Sequence, residues 1–251
     1  MSERPVVIVT GGSRGIGAAV ARLAASRGYD VAISYVSDAG AAERALAECR
    51  EAGARAIAVA GDLSREDDVL RLFDESAREF GRIDHVVNNA GITGRSGALA
   101  DTDPAVIRSA IDINVTGAIL VAREAARRLS TKRGGQGGSL VNISSVAAEI
   151  GSPGEYVWYA ASKGAVDSLT AGLSKELAAE GIRVNTVAPG LTDTEIHARS
   201  TGDAGRVGRI APMIPMGRVG QPEEIAEAVL FLMSDGASYI SGAKLKVSGG
   251  R

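Results

Sequence analysis

The run Pro5 to Thr10 is short, apolar and rich in β-branched residues, and it leads directly into Gly11-Gly12-Ser13-Arg14-Gly15-Ile16-Gly17 and a helical pattern over Ala18 to Ser26. An uninterrupted run of this kind reads as a strand buried on both faces, which constrains the fold to a sheet covered on both sides. Strand, glycine turn and helix in that order give closely spaced glycines a purpose. They let the backbone approach a pyrophosphate, which the free N–H groups at the helix start attract. A plain turn between strand and helix is the alternative.

The same alternation continues along the chain. Val31 to Tyr35, Ala56 to Ala60, Asp84 to Val87, Leu140 to Ile143, Gly181 to Val187 and Ala243 to Val247 read as further strands, with helical patterns between them. Neither a linker nor an internal repeat interrupts the series. About seven strands alternating with helices predict an α/β fold, with residues 1–251 forming one doubly wound domain around a parallel sheet. Leu191 to Gly220, containing Thr201-Gly202-Asp203-Ala204-Gly205, is long and irregular and reads as a lid or binding loop. Gly134-Gly135-Gln136-Gly137-Gly138 reads as a flexible surface loop.

Chemistry-bearing residues recur at the strand ends, where such folds bind ligands. The second strand ends in Ser34-Tyr35-Val36-Ser37, without the carboxylate that would hold a ribose and repel a 2′-phosphate. With Arg14 in the glycine loop, this pattern favours NADP over NAD, although Arg14 could be solvated and Asp38 could reach back. Asp62, followed by Leu63, could accept from an adenine amino group or simply shape a turn. Asn88-Asn89-Ala90-Gly91 suits a tight turn whose side chains tie down neighbouring backbone. Asn114, between Ile113 and Val115, needs a partner if buried. Ser144 and Ser145 end the fifth strand and can reach a ligand or cap a turn. Tyr159 and Lys163 share one helix face, a turn apart. At ~4 Å and an effective dielectric near 20, the ammonium would favour the phenolate by about 4 kcal/mol, roughly three pKa units. A tyrosine so tuned could act as an acid/base near neutrality. Gly164 and Gly172 in the same helix suggest close packing against another helix, possibly of a second subunit.

Composition excludes several classes. The net charge of −2, from 28 basic and 30 acidic residues, points to neither nucleic acid nor an anionic membrane as partner. Arg127, Arg128, Lys132 and Arg133 form a basic run that reads as a solvated helix end. A single cysteine, Cys49, allows no intrachain disulfide, and His85 and His197 lie too far apart in sequence to suggest a metal site. The start of the chain does not resemble a signal peptide, and no charge-free apolar run approaches the ~18 residues of a bilayer span. A cytoplasmic protein is expected.

Taken together, the ordered motifs resemble the short-chain dehydrogenase/reductase family along essentially the whole chain. They are Thr10-Gly11-x-x-x-Gly15-x-Gly17, Asp62-Leu63, Asn88-Asn89-Ala90-Gly91, Asn114, Ser145, Tyr159-x-x-x-Lys163 and Pro189-Gly190-x-x-x-Thr194. The resemblance implies a Rossmann fold, a homo-oligomer (dimer or tetramer), a small carbonyl or alcohol substrate and a nicotinamide cofactor. It implies a catalytic tetrad of Asn114, Ser145, Tyr159 and Lys163. In that scheme Ser145 bonds the substrate oxygen, Tyr159 donates its proton, and Lys163 lowers the tyrosine pKa and contacts the nicotinamide ribose. Asn114 places a water in the proton relay. The cofactor would lie along Gly11, Ser13, Arg14, Gly15, Ile16, Gly17, Ser34, Tyr35, Asp62, Leu63, Asn89, Ala90, Gly91, Pro189, Gly190 and Thr194. Gly151-Ser152-Pro153-Gly154-Glu155-Tyr156 before Trp158 looks like a little-characterised bacterial oxidoreductase branch near the 3-oxoacyl-carrier-protein reductases and glucose dehydrogenases. The lack of a basic helix face speaks against docking of an acidic carrier protein. The competing class is a non-catalytic nucleotide sensor on the same fold, which would have no need of the tyrosine.

Overall fold

The computed structural model describes residues 4–195, 200 and 205–251. Its strands are β1 (Val6–Val9), β2 (Asp30–Tyr35), β3 (Ala56–Ala60), β4 (His85–Asn88), β5 (Gly138–Ile143), β6 (Ile182–Pro189) and β7 (Lys244–Val247). They form one seven-stranded sheet, parallel throughout, in the order β3-β2-β1-β4-β5-β6-β7. The helices are α1 (Gly15–Ser26), α2 (Ala39–Glu51), α3 (Glu66–Phe80), α4 (Pro104–Ile111), α5 (Ala118–Leu129), α6 (Ala147–Ile150), α7 (Val157–Glu176), α8 (Arg206–Ile210) and α9 (Pro222–Met233).

Alternation along β1 shows why the strand is apolar throughout. Val7 and Val9 enter the core shared with α1, α2 and α9, whereas Val6 and Ile8 enter the one shared with α3, α5 and the end of α7. All four side chains are fully buried, each stabilising the fold by ~1.5–3 kcal/mol relative to exposure. The strand order turns back between β1 and β4, so their carboxyl ends flank the crevice in which such sheets bind ligands.

Of four local expectations, those for the glycine-rich loop and the stretch 191–220 need correction. The glycine-rich loop before β5 is tightly packed. A Cβ on Gly135 would lie 2.4 Å from Arg128 O, and one on Gly138 would lie 1.9 Å from Asp84 O. Glycine is used there for close backbone approach, not for mobility. Gly164 and Gly172 pack against nothing within the described chain, since no atom lies within 4 Å of either Cβ position. The stretch 191–220 includes regular structure: it contains α8 and a 3-10 turn, Ala211–Met213, and a bridge pairs Thr192 with Gly220 near its ends. Residues 196–199, including His197, and 201–204 lie outside the described residues. Finally, Pro104–Leu129 is apolar and long enough to cross a bilayer by length and composition. Its inner face carries the buried Ala110, Val121 and Leu129, and Arg123 on its outer side pairs with Glu66 at 2.5 Å.

The basic run is internally compensated. Arg127 and Arg128 both pair with the buried Glu124, and Lys132 lies 3.6 Å from Glu180. His85 is half-buried with Nδ1 2.8 Å from Ser139 Oγ, and desolvation pushes its pKa down to about 4. Among the described residues, no group of three or more His, Cys, Asp or Glu could hold a metal ion.

Candidate active site

The glycine loop is stapled to the end of β4. Thr10 Oγ1 accepts from Asn89 N at 2.8 Å and Ala90 N at 2.9 Å, while Asn89 Nδ2 donates to Thr10 O at 2.8 Å. Side chains at the loop glycines would destroy this arrangement. A Cβ on Gly17 would sit 2.3 Å from Gly11 O and 2.6 Å from Asn89 Nδ2. Gly11 and Gly15 have φ of +64° and +54°, in the left-handed region that favours glycine. Helix α1 begins without a side-chain cap and without an acidic residue in its first turn. Its leading N–H groups therefore have no side-chain acceptor and face the loop as a cradle suited to an anion.

The far end of the cradle is built differently from expectation. Ser34 is buried and its Oγ accepts from Gly11 N at 3.0 Å, so Ser34 supports the loop from beneath while its own O–H remains available to donate. Asp38 does not reach back: its Oδ1 caps α2, accepting from Ala41 N at 2.9 Å. Asp62 Oδ1 is occupied by the amide and hydroxyl of Ser64, the turn-shaping arrangement. Arg14 is one-third exposed and lies 3.7 Å from Glu195, across from Thr194. Tyr35 and Leu63 border the same cavity.

The helix α7 brings Tyr159 and Lys163 to one wall, and β5 brings Ser145. Ser145 and Tyr159 line the same cavity, and Ser145 Oγ accepts from Ala147 N at 3.1 Å. Ser144 points elsewhere and donates to Lys163 O at 3.1 Å, pinning the helix to the strand end. Lys163 Nζ donates to Ile143 O at 2.7 Å and lies 5.7 Å from the Tyr159 ring centre.

The expected lowering of the tyrosine pKa is absent from this arrangement. Burial pushes Tyr159 up to about 12, only partly opposed by Ser145, and burial pulls Lys163 down to about 8.

Asn114 lies in a π-helical turn, Asp112–Gly117, between α4 and α5. Such bulges re-aim side chains. This one exists where Gly117 packs on Leu63, whose O would lie 2.9 Å from a Cβ. Asn114 Nδ2 donates to Ile92 O at 2.7 Å and Ser162 Oγ at 3.0 Å, and Oδ1 accepts from Ile92 N at 2.8 Å. Gly91 keeps the space beside it open, with its Cβ position 3.1 Å from Asn114 Oδ1 and 3.4 Å from Lys163 Nζ.

Two adjoining cavities of about 490 and 570 Å3 form one trough. The first runs over the glycine loop to Tyr35 and Asp62, the second holds Ser145, Tyr159, Lys163, Pro189 and Gly190, and Ile16, Asn89, Gly91 and Thr194 border both. Asn114 borders neither and acts from behind. Ser162, missed by sequence reasoning, links Asn114 to Tyr159, donating to the Tyr159 carbonyl at 2.7 Å. Its position between Tyr159 and Lys163 was the available signal. The carbonyl of Ile143 left none, since any residue supplies one.

A family model described as enoyl-(acyl carrier protein) reductase matches residues 11–251. The uncharacterized oxidoreductase YgfF of Escherichia coli (strain K12) is 47% identical, over 98% of this chain and 99% of its own length. The crystal structure of a short chain dehydrogenase from Burkholderia cenocepacia J2315 in complex with NADP superposes with a TM-score of 0.90 at 35% identity, covering 99% of this chain and 97% of that one. A 3-ketoacyl-(acyl-carrier-protein) reductase from Brucella melitensis, complexed with NADH, gives a TM-score of 0.90 at 33% identity, covering 100% and 99%.

Proposed function

Because the chain belongs to the short-chain dehydrogenase/reductase family, we propose that it is an NADP(H)-dependent oxidoreductase interconverting a carbonyl group and an alcohol on a small molecule. The observation that carries this reading is the convergence of Ser145, Tyr159 and Lys163 on one cavity that adjoins the glycine cradle. Two converging hydroxyls leave a point that one carbonyl oxygen can reach from both, the arrangement a proton donor and its orienting partner need.

The cradle fits a dinucleotide: unpartnered amides at the start of α1 suit the diphosphate, and glycines supply the room a Cβ would fill. Asp62 and Leu63 would border its adenine, Asn89 to Gly91 its middle, and Pro189, Gly190 and Thr194 its nicotinamide. The segment 191–220 would close over the substrate. When bound, the nicotinamide supplies hydride to the carbonyl carbon or accepts it from the alcohol.

This chain's residues handle the oxygen and its proton. Ser145 holds the oxygen, and Tyr159, kept protonated by burial, gives it the hydroxyl proton. Lys163, charged below about pH 8, steadies the phenolate that remains. Asn114 Oδ1 keeps acceptor capacity beyond the Ile92 N–H and can hold a water that returns the proton. NADP is favoured because β2 ends without a free carboxylate and Arg14 stands at the cavity rim. The outer face of α7, where Gly164 and Gly172 have no neighbour, would join copies into a homo-oligomer.

The test is NADPH oxidation against ketones, aldehydes, quinones and, given the family model's description, an enoyl thioester. Tyr159→Phe should lower kcat by at least about 100-fold with the circular dichroism unchanged. Full activity in that variant would sink the mechanism. Tight NADP(H) binding without turnover across the panel would leave a nucleotide sensor.

A further inference from the structure

The segment after β7, Ser248-Gly249-Gly250-Arg251, has no part in the mechanism above, yet it is built onto the site. A Cβ on Gly190 would lie 2.7 Å from Ser248 Cα, so the segment packs directly on the turn that ends β6. Ser248 Oγ donates to Arg251 O at 2.9 Å, and Met216 N donates to Gly249 O at 3.0 Å. Gly249 and Gly250 have φ of +64° and +93°, and side chains there would meet Ile214 Cγ2 at 2.8 Å and Pro215 Cβ at 3.0 Å. Two glycines thus turn the backbone so that Arg251 borders the 570 Å3 cavity holding Ser145 and Tyr159.

The charges in that cavity are unequal in their availability. Lys163 is buried and bonded to Ile143 O. Glu155 is already partnered. The Arg251 side chain has no ion pair or hydrogen bond among the described residues, and Ile150, Pro153 and Met213 provide apolar wall nearby. A guanidinium at the edge of an apolar cavity matches a carboxylate in shape and charge, with two parallel donors for two oxygens.

We propose that this cavity selects carbonyl substrates bearing a carboxylate, with Arg251 as the specificity-determining residue for that anion. The inference rests on Ser145 and Tyr159 receiving the carbonyl oxygen.

A matched pair of substrates tests it: 4-acetylbenzoate and its methyl ester, with NADPH, at low salt. The acid should exceed the ester in kcat/KM by about five- to tenfold. Arg251→Gln should bring the ratio close to one, chiefly through the KM of the acid, while Arg251→Lys retains part of it. An unchanged ratio in Arg251→Gln, or no preference in the wild type, overturns the proposal. If neither ketone is reduced, hydride transfer is judged separately by the wider carbonyl panel. Calorimetric binding of 4-acetylbenzoate to the NADP+-loaded protein then decides: a loss of about fivefold in Arg251→Gln supports the anion site, and equal binding overturns it.

Discussion

At the scale of single residues, the pair Tyr159 and Lys163 shows how burial can outweigh proximity. A one-turn spacing predicts that the ammonium draws the phenol toward neutrality. In the structure Lys163 itself falls to about 8, from the 10.5 of an exposed lysine. The sign of the consequence follows from proton counting. Between pH 8 and 10.5 the unfolded chain binds more protons at this site than the folded one, so its contribution to stability rises with pH across that window. Below pH 8 both states are charged, and the folded protein carries the full desolvation penalty. Urea unfolding of wild type and Lys163→Met should therefore converge or cross. The difference should move in favour of wild type by about 3 kcal/mol from pH 7.5 to 10.5. A difference that stays constant with pH would show that the lysine is not depressed.

At the scale of elements, the β1–loop–α1 unit is locally specified and its accessories are not. The glycines that permit left-handed turns and the uncapped helix start are written in consecutive residues. The role of the β2 end is settled by its neighbours. Ser34 accepts from Gly11 N beneath the loop, while Arg14 and Tyr35 border the same cavity. Arg14 already lies 3.7 Å from Glu195, an exposed pair worth little by itself. Arg14→Ala should raise the dissociation constant for NADPH about tenfold and that for NADH less than about twofold. Equal losses for the two cofactors would remove Arg14 from the discrimination. The π turn at Asn114 belongs to the same scale. Its sequence reads as ordinary helix, whereas the structure winds it as a π turn whose last residue, Gly117, packs on Leu63.

At the scale of the whole molecule, two cores sandwich one sheet, and two glycines of α7 face away from both. Gly164 and Gly172 have open space at their Cβ positions, so a side chain there should not disturb the monomer and should gain helix propensity. If that face joins copies, Gly172→Gln should shift sedimentation toward a smaller species while circular dichroism stays unchanged. Unaltered sedimentation in Gly164→Gln and Gly172→Gln would place any assembly elsewhere. The strand runs, their alternation with helices and the glycine spacing already determined the doubly wound parallel sheet, because each depends on neighbours within a few residues. The same holds for the shared helix face of Tyr159 and Lys163. Only the tertiary structure decided that Ser145 meets Tyr159, that Ser34 faces inward and that the loop before β5 is packed. It alone decided the burial that shifts lysine and phenol in opposite directions, and the arrival of Arg251 at the same cavity. These outcomes depend on contacts between distant segments and on the water those contacts exclude, and residue spacing encodes neither.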